Sequence, residues 1–200
     1  MSLNLEEARS VARNLKVVVF DFDGVFTDNR ELIGYPDGAI IKGRSHYDGQ
    51  GVSLLRDIGI RVAIATNEKA ENAAAANFLV NKWNGLPSTM PDAVNPWLPV
   101  HLFTGVGHVR KFEAVHEWLK SFSDDDRPHW GSCAVMGDDL VDVPLLKAAG
   151  LRAAPITAEK VVRDMADFIS VRPGGAGAVR DFANFILDAR GVDQTTLRPF

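Results

Sequence analysis

Asp21 and Asp23 stand two residues apart, directly after the apolar run Lys16-Val17-Val18-Val19-Phe20. Asp138 and Asp139 follow a second such run, Ser132-Cys133-Ala134-Val135-Met136, through Gly137. Between these pairs lie Thr66, which closes the apolar stretch 60–65, and Lys111, which follows the stretch 100–103. Gathered in one place, these side chains have a coherent chemistry. Three or four clustered carboxylates repel one another and require a cation, and all-oxygen ligation suits Mg²⁺. A hydroxyl and an ammonium beside that ion make a site for a dianionic phosphoryl group.

The elements that must gather them are legible as well. The run 16–20 is β-branched and lacks polar alternation, the mark of a strand covered on both faces in a parallel sheet. Similar short runs at 60–65, 100–103, 132–136, 151–154 and 168–171 alternate with helical patterns at 68–80, 109–122, 143–149 and 178–189. An amphipathic helix precedes the first strand, with Leu5, Ala8, Val11, Ala12 and Leu15 at helical spacing. Val52, Leu54, Leu55 and Ile58 predict another, closed by Gly59. Alternating strands and helices predict an α/β fold with a doubly wound parallel sheet. In such sheets reactive groups collect outside the carboxyl ends of the strands, where the four segments just named end.

Two departures interrupt the alternation. Residues 29–44 read as a β-hairpin flap, with Glu31-Leu32-Ile33 and Ala39-Ile40-Ile41 flanking the turn chemistry of Gly34-Tyr35-Pro36-Asp37-Gly38. Residues 81–99 carry Pro87, Pro91, Pro96 and Pro99 and read as an irregular insertion. Two hundred residues fit a single domain with a substantial core. The net charge of -4 argues against a nucleic-acid-binding protein, while a local pocket or bound metal leaves room for an anionic substrate. No apolar run is long enough to span a bilayer, the N-terminus lacks a charged-then-apolar leader, and the single cysteine, Cys133, forbids an internal disulfide. A cytoplasmic, membrane-independent protein is the expectation.

The segment Asp21-Phe22-Asp23-Gly24-Val25-Phe26-Thr27-Asp28 resembles the first motif of the haloacid dehalogenase superfamily. Thr66, Lys111 and Gly137-Asp138-Asp139-Leu140-Val141-Asp142 resemble its second, third and fourth motifs in order and position. Within the superfamily the resemblance is closest to the capless 3-deoxy-D-manno-octulosonate 8-phosphate phosphatases. It rests on the hairpin, the pair Asp48-Gly49, and the late segment Arg172-Pro173-Gly174-Gly175-Ala176-Gly177-Ala178-Val179-Arg180. The resemblance implies a Rossmann-like domain without a large cap and an aspartyl-phosphate mechanism. Asp21 is then the nucleophile and Asp23 the acid and base. Mg²⁺ is held by the Asp21 carboxylate, the Asp23 backbone carbonyl and the Asp138 carboxylate. Thr66 and the Asn67 amide bind phosphate oxygens, Lys111 neutralises charge, and Asp139 and Asp142 orient metal-bound water.

The same resemblance implies a homotetramer packed through its hairpins, with Arg180 and residues 174–177 lining a neighbouring pocket. The branch carries arginine before Asp-Gly. Here Tyr47 stands there, and Arg44 is the candidate partner of a sugar carboxylate. Asn67-Glu68-Lys69 partly matches Gly-Glu-Lys of the sialic-acid-type nonulosonate 9-phosphate phosphatases, the second substrate reading. A third is a non-catalytic oligomerising module like the tails of some cytidylyltransferases, disfavoured by the paired acids. Gly105-Val106-Gly107 and Gly175-Ala176-Gly177 lack the third glycine of a dinucleotide fingerprint.

Overall fold

In the computed structural model, which describes residues 2–198, the apolar runs become strands with helices between them. The strands are β1 (Val17–Phe20), β2 (Leu32–Ile33), β3 (Ile40–Ile41), β4 (Arg61–Ala65), β5 (His101–Phe103), β6 (Cys133–Met136), β7 (Leu151–Ala154) and β8 (Phe168–Ile169). The helices are α1 (Leu5–Arg13), α2 (His46–Asp57), α3 (Ala74–Asn84), α4 (Val109–Lys120), α5 (Val143–Ala148), α6 (Lys160–Met165) and α7 (Ala178–Ala189).

Six strands form a parallel sheet in the order β5-β4-β1-β6-β7-β8, while β2 and β3 pair antiparallel as a separate hairpin. Because side chains alternate across a strand, β1 feeds two cores. Val18 and Phe20 point into one with Leu55, Phe182 and Ile186, from α2 and α7. Val17 and Val19 point into the other with Val115, Leu145 and Leu146, from α4 and α5. Phe20 meets the edges of Phe26 and Phe182 with ring centroids 5.4 and 6.5 Å apart. Truncating it to alanine removes that packing at a cost of about 3–5 kcal/mol.

The chain leaves β1 toward β4 and β5, then returns to lay β6, β7 and β8 on the other side of β1. This reversal opens a crevice at the carboxyl ends of β1, β4 and β6, the place where α/β sheets bind ligands. The expected doubly wound fold is therefore present.

Most boundaries lie within two residues of expectation, and two differ by more. The alanine-rich helix starts at Ala74, not near Glu68, after a 3₁₀ turn at Ala70–Ala73. The Glu68 amide donates to Thr66 Oγ1 (3.1 Å) and its carbonyl accepts from Gly105 (2.7 Å), so neither is free for a helix. The insertion begins after Asn84 rather than at 81, because α3 runs through its first residues. It is also fastened: Trp97 is buried and its indole N–H donates to Asp57 (2.7 Å). The hairpin forms as read, but Leu32, Ile33, Ile40 and Ile41 join neither core and are 44–73% exposed. Among the described residues no helix is long and apolar enough to cross a membrane.

Candidate active site

The crevice holds a cavity of about 110 Å³ lined by Asp21, Asp23, Asn29, Thr66, Asn67, Glu68, Asp138, Asp139 and Val141. Residues more than a hundred positions apart in sequence thus meet at one sheet edge, as the strand pattern requires. Gly24 makes the closest approach possible. Its φ of +75° suits glycine, and a Cβ there would lie 1.9 Å from Asp138 Oδ2. Gly174, from the late glycine-rich segment, packs behind: its Cβ would lie 1.8 Å from the Gly24 carbonyl oxygen. That segment therefore braces the loop carrying the two acids.

Below the cavity floor lies Lys111, almost wholly buried on the first turn of α4. Its Nζ is 2.9 Å from Asp21 Oδ1 and 2.6 Å from Asp142 Oδ1. A lysine at a helix start reads in sequence as a solvated residue. Here the amphipathic pattern of α4 turns it inward with Val115 and Leu119. Asp142 is saturated with donors, since its Oδ2 also accepts from the backbone N–H of Asp138 (3.0 Å) and Asp139 (3.4 Å). Asp139 caps the 3₁₀ turn Leu140–Asp142, accepting from the Leu140 N–H at 2.6 Å, while remaining on the cavity wall.

Electrostatically the site is unbalanced. Oxygens of Asp21, Asp138 and Asp142 all lie within 4.8 Å of one another, and all three residues are buried. Lys111 is the ammonium among them. Burial, followed by the charge of Asp142, holds the Asp21 carboxyl well above its ordinary value even with Lys111 opposing. Burial with Asp142 and Asp139 pushes Asp138 up to about 7. Burial alone would lower Lys111, but Asp21 and Asp142 raise it above its ordinary value, so it stays charged. Three carboxylates against one cation leave a deficit that a hard divalent ion fits in both charge and donor type. Asp21 and Asp138 face the cavity and have oxygens to offer, whereas Asp142 is engaged by donors.

Asp23 is held from the side. Both its oxygens accept from Lys42 Nζ at 2.9 Å, and Oδ1 also accepts from the Thr27 hydroxyl at 3.1 Å. Lys42 escapes a sequence reading because it follows Ile40 and Ile41 in a hairpin, where lysine normally faces water. The available signal is register: pairing Leu32 with Ile41 sets Glu31 opposite Lys42.

The remaining expected residues divide. Thr66 and Asn67 are in the cavity. Arg44 is outside it, on a neighbouring cavity of about 510 Å³ shared with Asp28, Arg30, Thr157 and residues 173–176. Arg180 lines neither: its Nε donates to Asn184 (2.8 Å) and an Nη donates to Gln194 (3.3 Å).

No family model matches the chain. It is 30% identical over 179 residues to the 3-deoxy-D-manno-octulosonate 8-phosphate phosphatase KdsC of Yersinia pestis, covering 90% of this chain and 83% of that protein. The crystal structure of the Yersinia pestis 3-deoxy-D-manno-octulosonate 8-phosphate phosphatase superposes with a TM-score of 0.79 at 26% identity, over 98% of this chain and 92% of that one. The cobalt-bound form of the corresponding phosphatase from Haemophilus influenzae superposes with a TM-score of 0.71 at 26% identity, over 90% and 92% of the two chains. With the fold, the ordered motifs and these similarities together, the chain belongs to the haloacid dehalogenase superfamily, as a phosphatase of its KdsC-like branch.

Proposed function

We propose that the chain hydrolyses the phosphomonoester of an acidic sugar, 3-deoxy-D-manno-octulosonate 8-phosphate first, with Mg²⁺ bound and Asp21 transiently phosphorylated. The observation that carries this reading is the convergence of Asp21, Asp138 and Lys111 beneath a small cavity whose rim holds Asp23 and Thr66. Asp21 and Asp138 would hold the ion through their carboxylates, together with the Asp23 carbonyl. When bound, the ion supplies charge neutralisation for the nucleophile and the transferring group.

An Asp21 oxygen attacks phosphorus as the bond from phosphorus to the sugar oxygen breaks, and the departing electron pair takes the Asp23 proton. In the second half, Asp23 accepts a proton from water as that water attacks phosphorus. The bond to Asp21 then breaks, releasing phosphate and restoring both acids. The Phe22 N–H (2.7 Å) and Lys111 fix Asp21 Oδ1, which leaves Oδ2 as the attacking atom. Thr66 and Asn67 bind phosphoryl oxygens from the opposite wall. Asp142 holds Lys111 and the Asp138 backbone in place, and Asp139 shapes the following turn. Arg44, on the adjoining cavity, is the group for the sugar carboxylate.

The exposed apolar hairpin supports assembly through hairpins into a homotetramer, where Arg180 would serve a neighbour's pocket. A nonulosonate 9-phosphate is the second substrate reading, favoured by Asn67 and Glu68 on the cavity wall.

The decisive experiment is a panel of sugar phosphates containing both acidic sugars, run with Mg²⁺ beside Asp21→Asn. The proposal expects the eight-carbon ester to give the highest kcat/KM and Asp21→Asn to be inert on every ester. Preference for the nine-carbon ester would move the substrate assignment, and turnover by Asp21→Asn would overturn the mechanism.

A further inference from the structure

Each member of the Asp21/Asp23 pair has its own lysine, and the reading above uses only one of them. Lys111 serves Asp21. Lys42, carried by the hairpin immediately after β3, serves Asp23: its Nζ is 2.9 Å from both carboxylate oxygens. The Lys42 side chain is only 6% exposed, although it belongs to a hairpin whose apolar residues face outward. Burying an ammonium is unfavourable unless it is well paired. Here it is paired twice, since Glu31 Oε1 lies 3.1 Å away on the facing hairpin position. Burial alone would lower the Lys42 ammonium, yet hydrogen bonds to Asp23 and Glu31 raise it, so it remains a cation.

The backbone explains how a hairpin lysine comes to face inward. Leu32 pairs with Ile41, but the next bridge is Thr27 with Arg44. Asp28, Asn29 and Arg30 therefore stand against Gly43 alone, and Asn29 has a φ of +62°. This bulge turns the base of the hairpin over the loop that carries Asp23, as bulges do where a side chain must be re-aimed. Asn29 itself reaches the cavity wall.

We infer that Lys42 is a positioning residue for leaving-group chemistry: with Glu31 it fixes the Asp23 carboxyl on the line to the departing oxygen and couples that acid to the seating of the hairpin. The inference rests on the proposed role of Asp23. It makes a prediction that a simple hairpin anchor does not. A residue acting through the proton donor matters in proportion to how much the leaving group needs a proton. p-Nitrophenolate leaves readily without one, phenolate needs it more, and the primary alkoxide of a sugar needs it most.

The test compares wild type with Lys42→Met, Lys42→Arg and Glu31→Gln on p-nitrophenyl phosphate, phenyl phosphate and 3-deoxy-D-manno-octulosonate 8-phosphate. For Lys42→Met, kcat should fall about 100-fold on the sugar ester but only about threefold on p-nitrophenyl phosphate, with phenyl phosphate between and KM shifted little. Lys42→Arg, which keeps the charge, should recover most of the loss on the sugar ester. Glu31→Gln should show the same bias at about threefold. If Lys42→Met does not fold, Glu31→Gln carries the comparison through its leaving-group bias, with Lys42→Arg expected near wild type. Equal losses on all three esters, or losses confined to KM, would reduce Lys42 to an anchor and overturn the inference. If wild type hydrolyses none of the esters, the reading of the site fails first and this inference falls with it.

Discussion

Asp21 and Asp167 are both buried carboxylates near the carboxyl or approach ends of sheet strands, yet their surroundings are opposite. Asp167 lies against one guanidinium and two backbone amides. Arg152 donates to it through Nε (2.9 Å), an Nη (2.6 Å) and its own backbone N–H (2.9 Å), and the Leu3 N–H adds a bond of 2.7 Å. Burial would raise Asp167, but these donors win and hold it below its ordinary value. Asp21 shares its one ammonium with Asp142 and faces Asp138 as well, so burial wins and it sits well above. The lesson concerns charge matching. A structural acid is neutralised by its own chain, whereas the cluster at the sheet edge is left short of positive charge, and that shortfall is what the proposed cation and phosphoryl group would answer.

The most severe break of this contrast is Asp21→Asn. On the proposed mechanism it should lower kcat by about 10⁴-fold or more, because the proposed nucleophile is removed rather than weakened. In metal-free buffer the same variant should melt at or above the wild-type temperature, since it relieves repulsion with Asp142 and Asp138. A clear fall in metal-free melting temperature would show that the cluster is not strained by its charge. Asp167→Asn should do the reverse. Replacing the carboxylate that accepts from Leu3 and Arg152 should cost about 1–3 kcal/mol in denaturant unfolding. kcat/KM should change less than about threefold, because a site distant from the chemistry is normally independent of it. The sign with pH follows from the lowered value. The stabilisation by Asp167 is complete above the unfolded carboxyl value of 3.8 and is lost as pH falls through the lower folded one. Asp167→Asn should therefore lose that acid limb, measured by urea midpoints across the acidic range.

Much of this was legible in the chain, and the illegible parts share a cause. Asp21, Asp23 and Asp138 could be placed because a strand buried on both faces ends abruptly in an acid, and a parallel sheet brings such ends together. Lys111 was weakly legible: its spacing says only that it begins a helix, and its depth depends on how α4 docks on β6 and β1. Lys42 was missed because one bulge between Thr27 and Glu31 decides which way the hairpin base faces. The start of α3 moved for a similar reason, since hydrogen bonds from Thr66 and Gly105 claim the residues that alanine-rich propensity would put in the helix. Local pattern fixes elements, and a contact between distant segments fixes their ends.

Metal addition sharpens the contrast from the ligand side. An ion that binds only the folded chain stabilises it by about 2.7 kcal/mol at a hundred times its Kd. In a 200-residue chain that is a rise in Tm on the order of 5–10 °C. Mg²⁺ should produce such a rise in wild type and in Asp167→Asn, and EDTA should reverse it. Asp138→Asn, which removes a cavity-facing carboxylate, should show little of it by thermal shift. An equal rise in Asp138→Asn would place the ion elsewhere.

Asp48 lies between the two extremes and gives the finest test. It is fully buried on α2, where its carboxylate accepts from the N–H groups of Gly177 (3.1 Å), Val179 (3.0 Å) and Arg180 (3.3 Å) at the start of α7. Helix N-termini favour negative charge, and these amides with Arg172 pull the carboxyl down, yet burial is larger and pushes it up to about 6. A carboxyl raised on folding binds its proton more tightly in the native state than in the unfolded one. Its contribution is therefore complete below the unfolded value of 3.8 and is lost as pH rises through about 6. Asp48→Asn is neutral at every pH and should not follow this loss. Subtracting its stability from that of wild type should leave a difference that moves in favour of the variant by on the order of 2–3 kcal/mol between pH 4 and pH 7. The subtraction cancels Asp21 and Asp138, which titrate in the same direction in both proteins. A difference that stays flat, or moves toward wild type, would mean that the three amides of α7 outweigh burial, and that Asp48 belongs with Asp167 among the fully matched acids.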